Sequence, residues 1–200
     1  MTKLESSFVA AVIALSAAAL PARADDEGRG GLAAGRVELS TAASFTNLKE
    51  GGGDESFTVL SVPLRVGYLV TKNFGLEGEV LATHVDFGGD DSDNGTGALF
   101  SANALYHFNP EGRTSPFLLV GGGVGNAEEF LNIAYKADRT VTAFHAGAGV
   151  KAFLNRRAAL RLEYRFSRYS GGERSTGFFT SEDPSTSLHK VLVGISVFFR

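Results

Sequence analysis

The sequence predicts an all-β protein, an eight-stranded antiparallel up-and-down barrel that crosses a membrane. In eight segments apolar and polar residues alternate, as expected for strands whose successive side chains point to opposite faces. The alternation persists for roughly 9–13 residues, which matches a tilted strand that crosses a bilayer and exceeds the usual ~5–6 residues of soluble strands. The connections are alternately long and short, an asymmetry typical of transmembrane barrels.

Residues 159–167 show the clearest alternation. Every second residue is apolar and the residues between them are charged: the first set is Leu160, Leu162, Tyr164 and Phe166, and the second is Arg161, Glu163 and Arg165. Such a strand has one hydrocarbon face and one ionic face. A soluble lipocalin-like barrel or a sandwich would also fit this pattern, so strand length, connection length and strand count favour the membrane.

The remaining strands follow from the same periodicity. The eight predicted strands are residues 35–48, 56–70, 74–87, 98–108, 116–125, 140–154, 159–167 and 186–199. The polar, mostly longer connections are residues 49–54, 88–96, 126–139 and 170–185, and the shorter ones are residues 71–73, 109–115 and 155–157. If the third strand alternates regularly, the apolar Leu81 shares a face with the charged Glu77. We therefore expect a bulge at Gly78, which would put the two side chains on opposite faces.

The N-terminus has the features of a secretory signal peptide. A short charged start precedes an apolar run from Phe8 to Leu20, and Ala22-Arg23-Ala24 supplies a small-residue cleavage site. We therefore expect removal of residues 1–24 on export, an N-terminal extension over residues 25–34 and a barrel domain over residues 35–200. The alternative is an uncleaved anchor or a short buried helix, but the run is shorter than the ~20 residues of a spanning helix.

Composition excludes several classes of site. The chain contains no Cys, which excludes disulfides and thiolate metal sites. The formal net charge is −3 and no basic cluster is present, so we expect no nucleic-acid binding. The glycine run at residues 121–125 lacks the Lys and the helix of a phosphate loop, and it indicates close packing of strands instead. No cofactor is predicted.

A metal site is not predicted either. Residues 90–95 match only the start of a calcium-binding loop, because Ser101 occupies the position where such a loop needs a bidentate glutamate. A solvated turn is the better explanation of the acidic residues there.

A closed barrel in lipid has its charged residues inside. An eight-stranded interior is only wide enough to be filled by side chains, so opposite charges must pair there. The residues predicted to form this interior charge network are Arg36, Glu38, Arg65, Glu77, Glu79, Lys151, Arg161, Glu163, Arg165 and Lys190. Aromatic residues near the strand ends are expected to form interfacial girdles, namely Phe45, Tyr68, Tyr106, Phe108, Phe117 and Phe199.

The chain resembles the small eight-stranded outer-membrane barrels of the OmpA transmembrane-domain, OmpX and opacity-protein kind. The most specific part of the resemblance is the alternating, aromatic-terminated last strand, with Val191, Val193, Ile195, Val197 and Phe199 on one face. The resemblance implies that these five residues are the signal recognised by the barrel-assembly machinery. The chain departs from the family's pattern because Arg200 follows the terminal aromatic residue.

From this resemblance we expect a monomeric, non-enzymatic barrel of the outer membrane, exported through the periplasm. Its role would be structural or surface-interactive, in contact with outer-membrane lipid and lipopolysaccharide, with an external ligand possible at connections 88–96, 126–139 and 170–185. Two alternatives stay open. One is a narrow passive pore, and the other is a lipid A-modifying hydrolase, since residues 164–170 have some similarity to lipid A deacylases.

The hydrolase alternative has a weak basis in the residues. A nucleophilic serine needs an adjacent imidazole, and Ser170 is preceded by Tyr169 where the deacylases have histidine. His84 is the histidine that could supply the base from another strand. No catalytic residue is therefore predicted.

Overall fold

The computed structural model describes residues 31–49, 56–86, 95–127, 140–171 and 185–200. These residues form eight strands of 13 to 15 residues: β1 (Val37–Lys49), β2 (Ser56–Leu69), β3 (Phe74–Asp86), β4 (Gly95–His107), β5 (Thr114–Ala127), β6 (Thr140–Phe153), β7 (Ala158–Gly171) and β8 (Ser185–Phe199). Within the described ranges, no helix has the length and hydropathy that crossing a membrane requires.

Each strand pairs with its neighbours in sequence, and β1 also pairs with β8, so the sheet closes into a barrel. All pairs are antiparallel, and closure is seen in the register Val37↔Phe199 through Ala43↔Val193. Closure satisfies the backbone groups of every strand, which a sheet in lipid requires. The predicted fold class, an all-β eight-stranded up-and-down barrel, is confirmed.

Several strands run further than the alternation indicated. β7 continues past residue 167 to Gly171, where Thr142 and Ser170 are partners on β6 and β7. β5 begins at Thr114, two residues before its predicted start, and Ser115 pairs with Lys151. Polar residues at the strand ends obscure the alternation but still join the hydrogen-bonded ladder. Most of the four longer connections lies outside the described residues.

The predicted bulge at Gly78 is wrong. The register between β2 and β3 is continuous from Leu69↔Gly75 to Thr58↔Asp86, and Gly78 is paired directly with Val66. Leu81 therefore points inward on the same face as Glu77. It does so because the interior near the external end contains an apolar cluster, in which Leu81 packs with Leu99, Val141, Ala143 and Tyr169.

Glycines let neighbouring strands approach closely around β5. A Cβ atom on Gly121 would overlap the carbonyl oxygen of Ala102 and the side-chain oxygen of Asn103. On Gly149 it would overlap the ring of Phe117. The prediction that the run at residues 121–125 reflects close packing agrees with this geometry.

The segment before β1 folds under the end of the barrel that carries the short turns. Leu32 is buried against an apolar cluster of Leu69, Phe153, Ala159 and Phe198. Its amide donates to the carbonyl of Pro110 at 3.3 Å. Gly35 adopts φ = 82°, a left-handed conformation that favours glycine, and its amide donates to the carbonyl of Leu69 at 2.8 Å. This segment therefore places Leu32 in the mouth of the barrel.

Candidate functional site

The two faces of the barrel wall have opposite chemistry. The outer face is apolar over its middle: Val193 and Phe100 are each 60% exposed. The inner face holds charged side chains, and Arg161 and Glu163 are 1% and 0% exposed. In water this arrangement would expose hydrocarbon and bury charge, which is the reverse of a soluble protein. It suits a barrel surrounded by lipid.

Glu163 lies at the centre of the interior and contacts two arginines of its own strand. Arg161 Nε and Nη2 lie 2.9 and 2.7 Å from Glu163 Oε2. Arg165 Nε and Nη2 both lie 2.7 Å from Glu163 Oε1. The two nitrogens of each arginine approach a single carboxylate oxygen, and the contacts through Nε are short, charge-assisted hydrogen bonds.

The same arginines reach across the interior to β3. Arg161 Nη1 donates to Glu77 Oε2 at 2.6 Å, and Arg165 Nη1 donates to Glu79 Oε1 at 2.6 Å. Arg65 on β2 donates through Nε to Glu79 Oε2, also at 2.6 Å. The carboxylates of β3 thus connect β2 to β7 through ion pairs in the middle of the barrel.

Another ion pair, separate from those of Glu163, lies nearer the short turns. Lys151 Nζ on β6 donates to Glu38 Oε2 on β1 at 2.5 Å. Phe117 lies beside this layer, with its ring centroid 5.5 Å from Lys151 Nζ and 4.9 Å from the Arg161 guanidinium carbon. The aromatic face adds a cation–π contact to both cations.

Nine of the ten residues predicted for the interior charge network lie buried inside the barrel, and eight of them meet in these ion pairs. The ninth, Lys190, donates from Nζ to Ser61 Oγ at 3.1 Å, on the external side of the arginines. Among the described residues, the buried charged side chains therefore comprise five cations and four anions. The interior is close to neutral.

Arg36 is the exception and corrects the prediction. It precedes β1, so the alternation of the strand does not govern it, and its guanidinium lies at the rim. There Nη2 donates to the carbonyl of Arg156 at 2.8 Å and to that of Phe198 at 3.4 Å. Arg36 thus fastens the N-terminal segment to the ends of the strands and takes no part in the interior ion pairs.

A polar chain above the arginines was not predicted. His145 Nδ1 lies 2.9 Å from Ser167 Oγ, and its Nε2 lies 3.1 Å from Ser101 Oγ. All three side chains are buried. The sequence places each residue on a polar face, but it does not show that they meet: His145 on β6 and Ser167 on β7 are register partners, and Ser101 lies on β4, beyond β5.

The predicted aromatic girdle is partly wrong. Tyr68, Tyr106, Phe108 and Phe199 are exposed on the outer wall at the end with the short turns. Phe117 is 1% exposed and points inward, because it fills the interior beside Lys151. The side chain of Phe45 lies outside the described residues.

The residues predicted as the assembly signal share the outer face of β8. Val191, Val193 and Phe199 are exposed, and Ile195 and Val197 are half-buried. β8 pairs with β7 and with β1, so this strand closes the barrel. Its outer face is continuous with the apolar wall.

The structure does not bring the candidate hydrolase residues together. Ser170 lies on β7 and His84 on β3, four strands apart and therefore on opposite walls. The serine–histidine contacts that do form, around His145, are enclosed in the interior. Residues 90–94 of the acidic connection lie outside the described residues. In the part of the chain that the structure describes, no group of three or more potential ligands could hold a metal ion.

Solved barrels share this fold. Neisserial surface protein A has 16% identity and a TM-score of 0.57, over 82% of this chain and 96% of that one. Ail, the attachment invasion locus protein of Yersinia pestis, has 17% identity and a TM-score of 0.52, over 83% and 99%. The N-terminal β-barrel domain of Pseudomonas aeruginosa OprF has 16% identity and a TM-score of 0.51, over 83% and 98%.

At these identities the likeness concerns the fold alone. No curated protein sequence matches the chain. The family follows from a different comparison, since residues 7–199 match the model described as "Outer membrane protein beta-barrel domain". The chain belongs to this family of outer-membrane β-barrels, and its location is the outer membrane.

Proposed function

We propose that the protein is a closed, monomeric and non-enzymatic barrel that supports the envelope or contacts external partners through its longer connections. The observation that carries this proposal is the ion-paired interior. Arg161, Glu163 and Arg165 occupy the centre of the barrel, and the two arginines are joined to β3 by contacts of 2.6 Å. Separating such pairs to admit an ion would leave buried charges without partners, which costs several kcal/mol.

The mouth at the periplasmic end supports the same conclusion. Leu32 and its apolar neighbours form a second layer beneath the ion pairs. At the external end, Leu81, Leu99 and Val141 form a third layer. A solute would have to displace all three layers to cross the membrane.

Single-channel recording in planar bilayers tests closure. We expect no conductance steps from the wild-type protein, because its interior is filled. The double variant Arg161→Ala/Glu77→Ala removes both members of the pair on the axis, and steps from this variant would show that the protein inserts. Regular steps from the wild type would overturn the proposal in favour of a narrow passive pore.

A second experiment separates a structural role from a surface role. The external connections between the strands, residues 87–94, 128–139 and 172–184, are replaced by Gly-Ser linkers of equal length, and the variant is expressed in cells that lack the protein. If the role is structural, the variant restores resistance of the envelope to detergent. If the role depends on an external ligand, the variant assembles but does not restore adhesion. Release of ester-linked acyl chains from lipopolysaccharide by the wild type, lost in Ser170→Ala, would contradict both roles.

Assembly and lipid contact belong to the same proposal. The barrel-assembly machinery would recognise the outer face of β8. The apolar outer face of the barrel would contact outer-membrane lipid and lipopolysaccharide. Replacing Phe199 by Ser should slow insertion in cells without changing the interior, since Phe199 faces outward. Pulse-chase measurement of heat-modifiable protein gives the rate of insertion.

A further inference from the structure

The two ends of the barrel differ strongly in charge. By sequence, the segments that join the strands at the external end (residues 50–55, 87–94, 128–139 and 172–184) contain twelve acidic and three basic residues. At the periplasmic end, the described residues outside the strands carry six basic side chains and one acidic one: Arg36, Lys72, Arg113, Arg156, Arg157 and Arg200, with Glu111. Lys72 Nζ lies 2.9 Å from Glu111 Oε1, so the only acidic side chain among these described residues is already paired.

Four of the arginines converge on one part of the rim, and we call Arg36, Arg156, Arg157 and Arg200 the arginine patch. The amide of Phe198 donates to the carbonyl of Arg157 at 2.7 Å, which fixes the β6–β7 turn beside the end of β8. Arg36 donates to the carbonyl of Arg156 at 2.8 Å. Burial lowers the pKa of Arg36, and the positive charges of Arg200 and Arg157 lower it further. The guanidinium groups of Arg157 and Arg200 therefore lie close enough to that of Arg36 to repel it.

The patch lies at the level where hydrocarbon gives way to lipid headgroups. Leu154 and Phe199 are exposed on the outer wall at the ends of β6 and β8. Arg157 lies within the turn that begins at Leu154, and Arg200 follows Phe199 directly. Side chains of arginine extend an apolar stem along such a wall and place the guanidinium at the interface. Aromatic and apolar residues just inside the patch fix that depth.

We propose that the arginine patch binds the phosphate group of anionic phospholipids in the periplasmic leaflet of the outer membrane. Guanidinium groups form bidentate hydrogen bonds with phosphate oxygens, and each basic residue near an anionic headgroup strengthens association about fivefold. Binding also relieves the mutual repulsion of the arginines. The patch thus selects which lipids surround this end of the barrel, a property separate from the closed interior.

Native mass spectrometry of the refolded secreted chain in a neutral detergent tests the proposal. The protein used includes residues 25–27, which are acidic by sequence. Any competition between their carboxylates and lipid phosphate for the arginines is therefore present in every sample. The probes are phosphatidylglycerol and phosphatidylethanolamine with identical acyl chains. We expect the wild type to bind phosphatidylglycerol at least tenfold more tightly.

The test variant is Arg157→Gln/Arg200→Gln, because both side chains are exposed and neither forms the contacts of Arg36. It should lose about fivefold of its phosphatidylglycerol affinity for each arginine, with unchanged affinity for phosphatidylethanolamine. The matched control, Arg168→Gln/Arg174→Gln, removes the same charge from β7 and, by sequence, from the external connection that follows it, and should keep the wild-type preference. A second variant, Arg156→Gln/Arg157→Gln, leaves the C-terminus intact and should behave like the first. Heat-modifiable migration on a gel shows that each protein is folded.

Three results would overturn the proposal. The first is equal binding of both lipids by the wild type, and the second is an equal loss of preference in the external control, which would indicate an effect of total charge. The third is displacement of the lipid by an equimolar amount of glycerol phosphate, which would indicate a site for free phosphate. In the first case, retention of the wild type on purified cell-wall sacculi would assign the patch to an anionic cell-wall polymer.

Discussion

Arg161 on β7 and Glu77 on β3 are joined by a contact of 2.6 Å, although their strands lie four positions apart in a barrel of eight. Strands so placed face each other across the barrel axis. The pair therefore lies on the axis, and Glu163 and Arg165 extend it towards the external end. An eight-stranded barrel has just enough room for such a set of side chains.

Glu163→Gln should destabilise the protein strongly. The carboxylate contacts Arg161 and Arg165 and lies 3.6 Å from Arg65, and all four side chains are buried. Its removal leaves buried positive charge uncompensated, which costs roughly 3–5 kcal/mol. Urea unfolding in phospholipid vesicles, followed by circular dichroism, measures the change in the free energy of unfolding.

The control for this prediction is Glu111→Gln. Glu111 also forms an ion pair, with Lys72 at 2.9 Å, but both side chains are exposed to solvent. An equal loss of stability in the two variants would contradict the importance that we assign to burial.

Gly121→Ala should destabilise the barrel by about 1–3 kcal/mol, because the new methyl group would meet the backbone of β4, which cannot move aside without breaking its ladder. Gly78→Ala is the matched control. A Cβ there would lie 3.9 Å from the carbonyl oxygen of Val66, in ordinary contact. Similar unfolding midpoints for the two variants in urea would be inconsistent with close approach of β4 and β5.

The strand alternation was enough to identify the eight strands and the inward position of the charged residues within them. It could not separate apolar residues that face lipid from apolar residues that fill the interior. For that reason the sequence predicts Phe117 in the girdle and a bulge before Leu81, whereas the structure places both side chains inside. Apolar side chains at the two ends of the interior look the same in sequence as those on the wall.

The sequence also does not predict which charged side chains contact each other across the interior. Arg161 and Glu77 are 84 residues apart, and their contact depends on the stagger of the strands around the closed barrel. The same is true of Lys151 and Glu38, 113 residues apart. Arg36 was misassigned for a different reason, since it lies outside β1, where alternation carries no information.

The exposed pair at the periplasmic turns predicts a local dependence on pH. The hydrogen bond and positive charge of Lys72 lower the pKa of Glu111. The interaction is therefore complete above the ordinary pKa of a glutamate and is lost as pH falls through the lowered value. Lys72→Met should raise the pKa of Glu111 towards its ordinary value, measured by NMR titration of the side-chain carboxyl carbon. Arg113→Met is the control, and a comparable rise in that variant would contradict the specific role of Lys72.

The orientation of the wall is tested most directly by placing a charge on it. Val193 is 60% exposed, and β8 runs about six residues from it to the periplasmic end, so it lies near the middle of the apolar band. Val193→Arg should cost about 2–4 kcal/mol, because an outward-facing charge there must enter the hydrocarbon. Phe108→Arg lies at the periplasmic rim and should cost ~0–1 kcal/mol, since its charge reaches the headgroups. Reversible unfolding in vesicles compares the two variants, and a Val193→Arg protein as stable as the wild type would mean that this face contacts water.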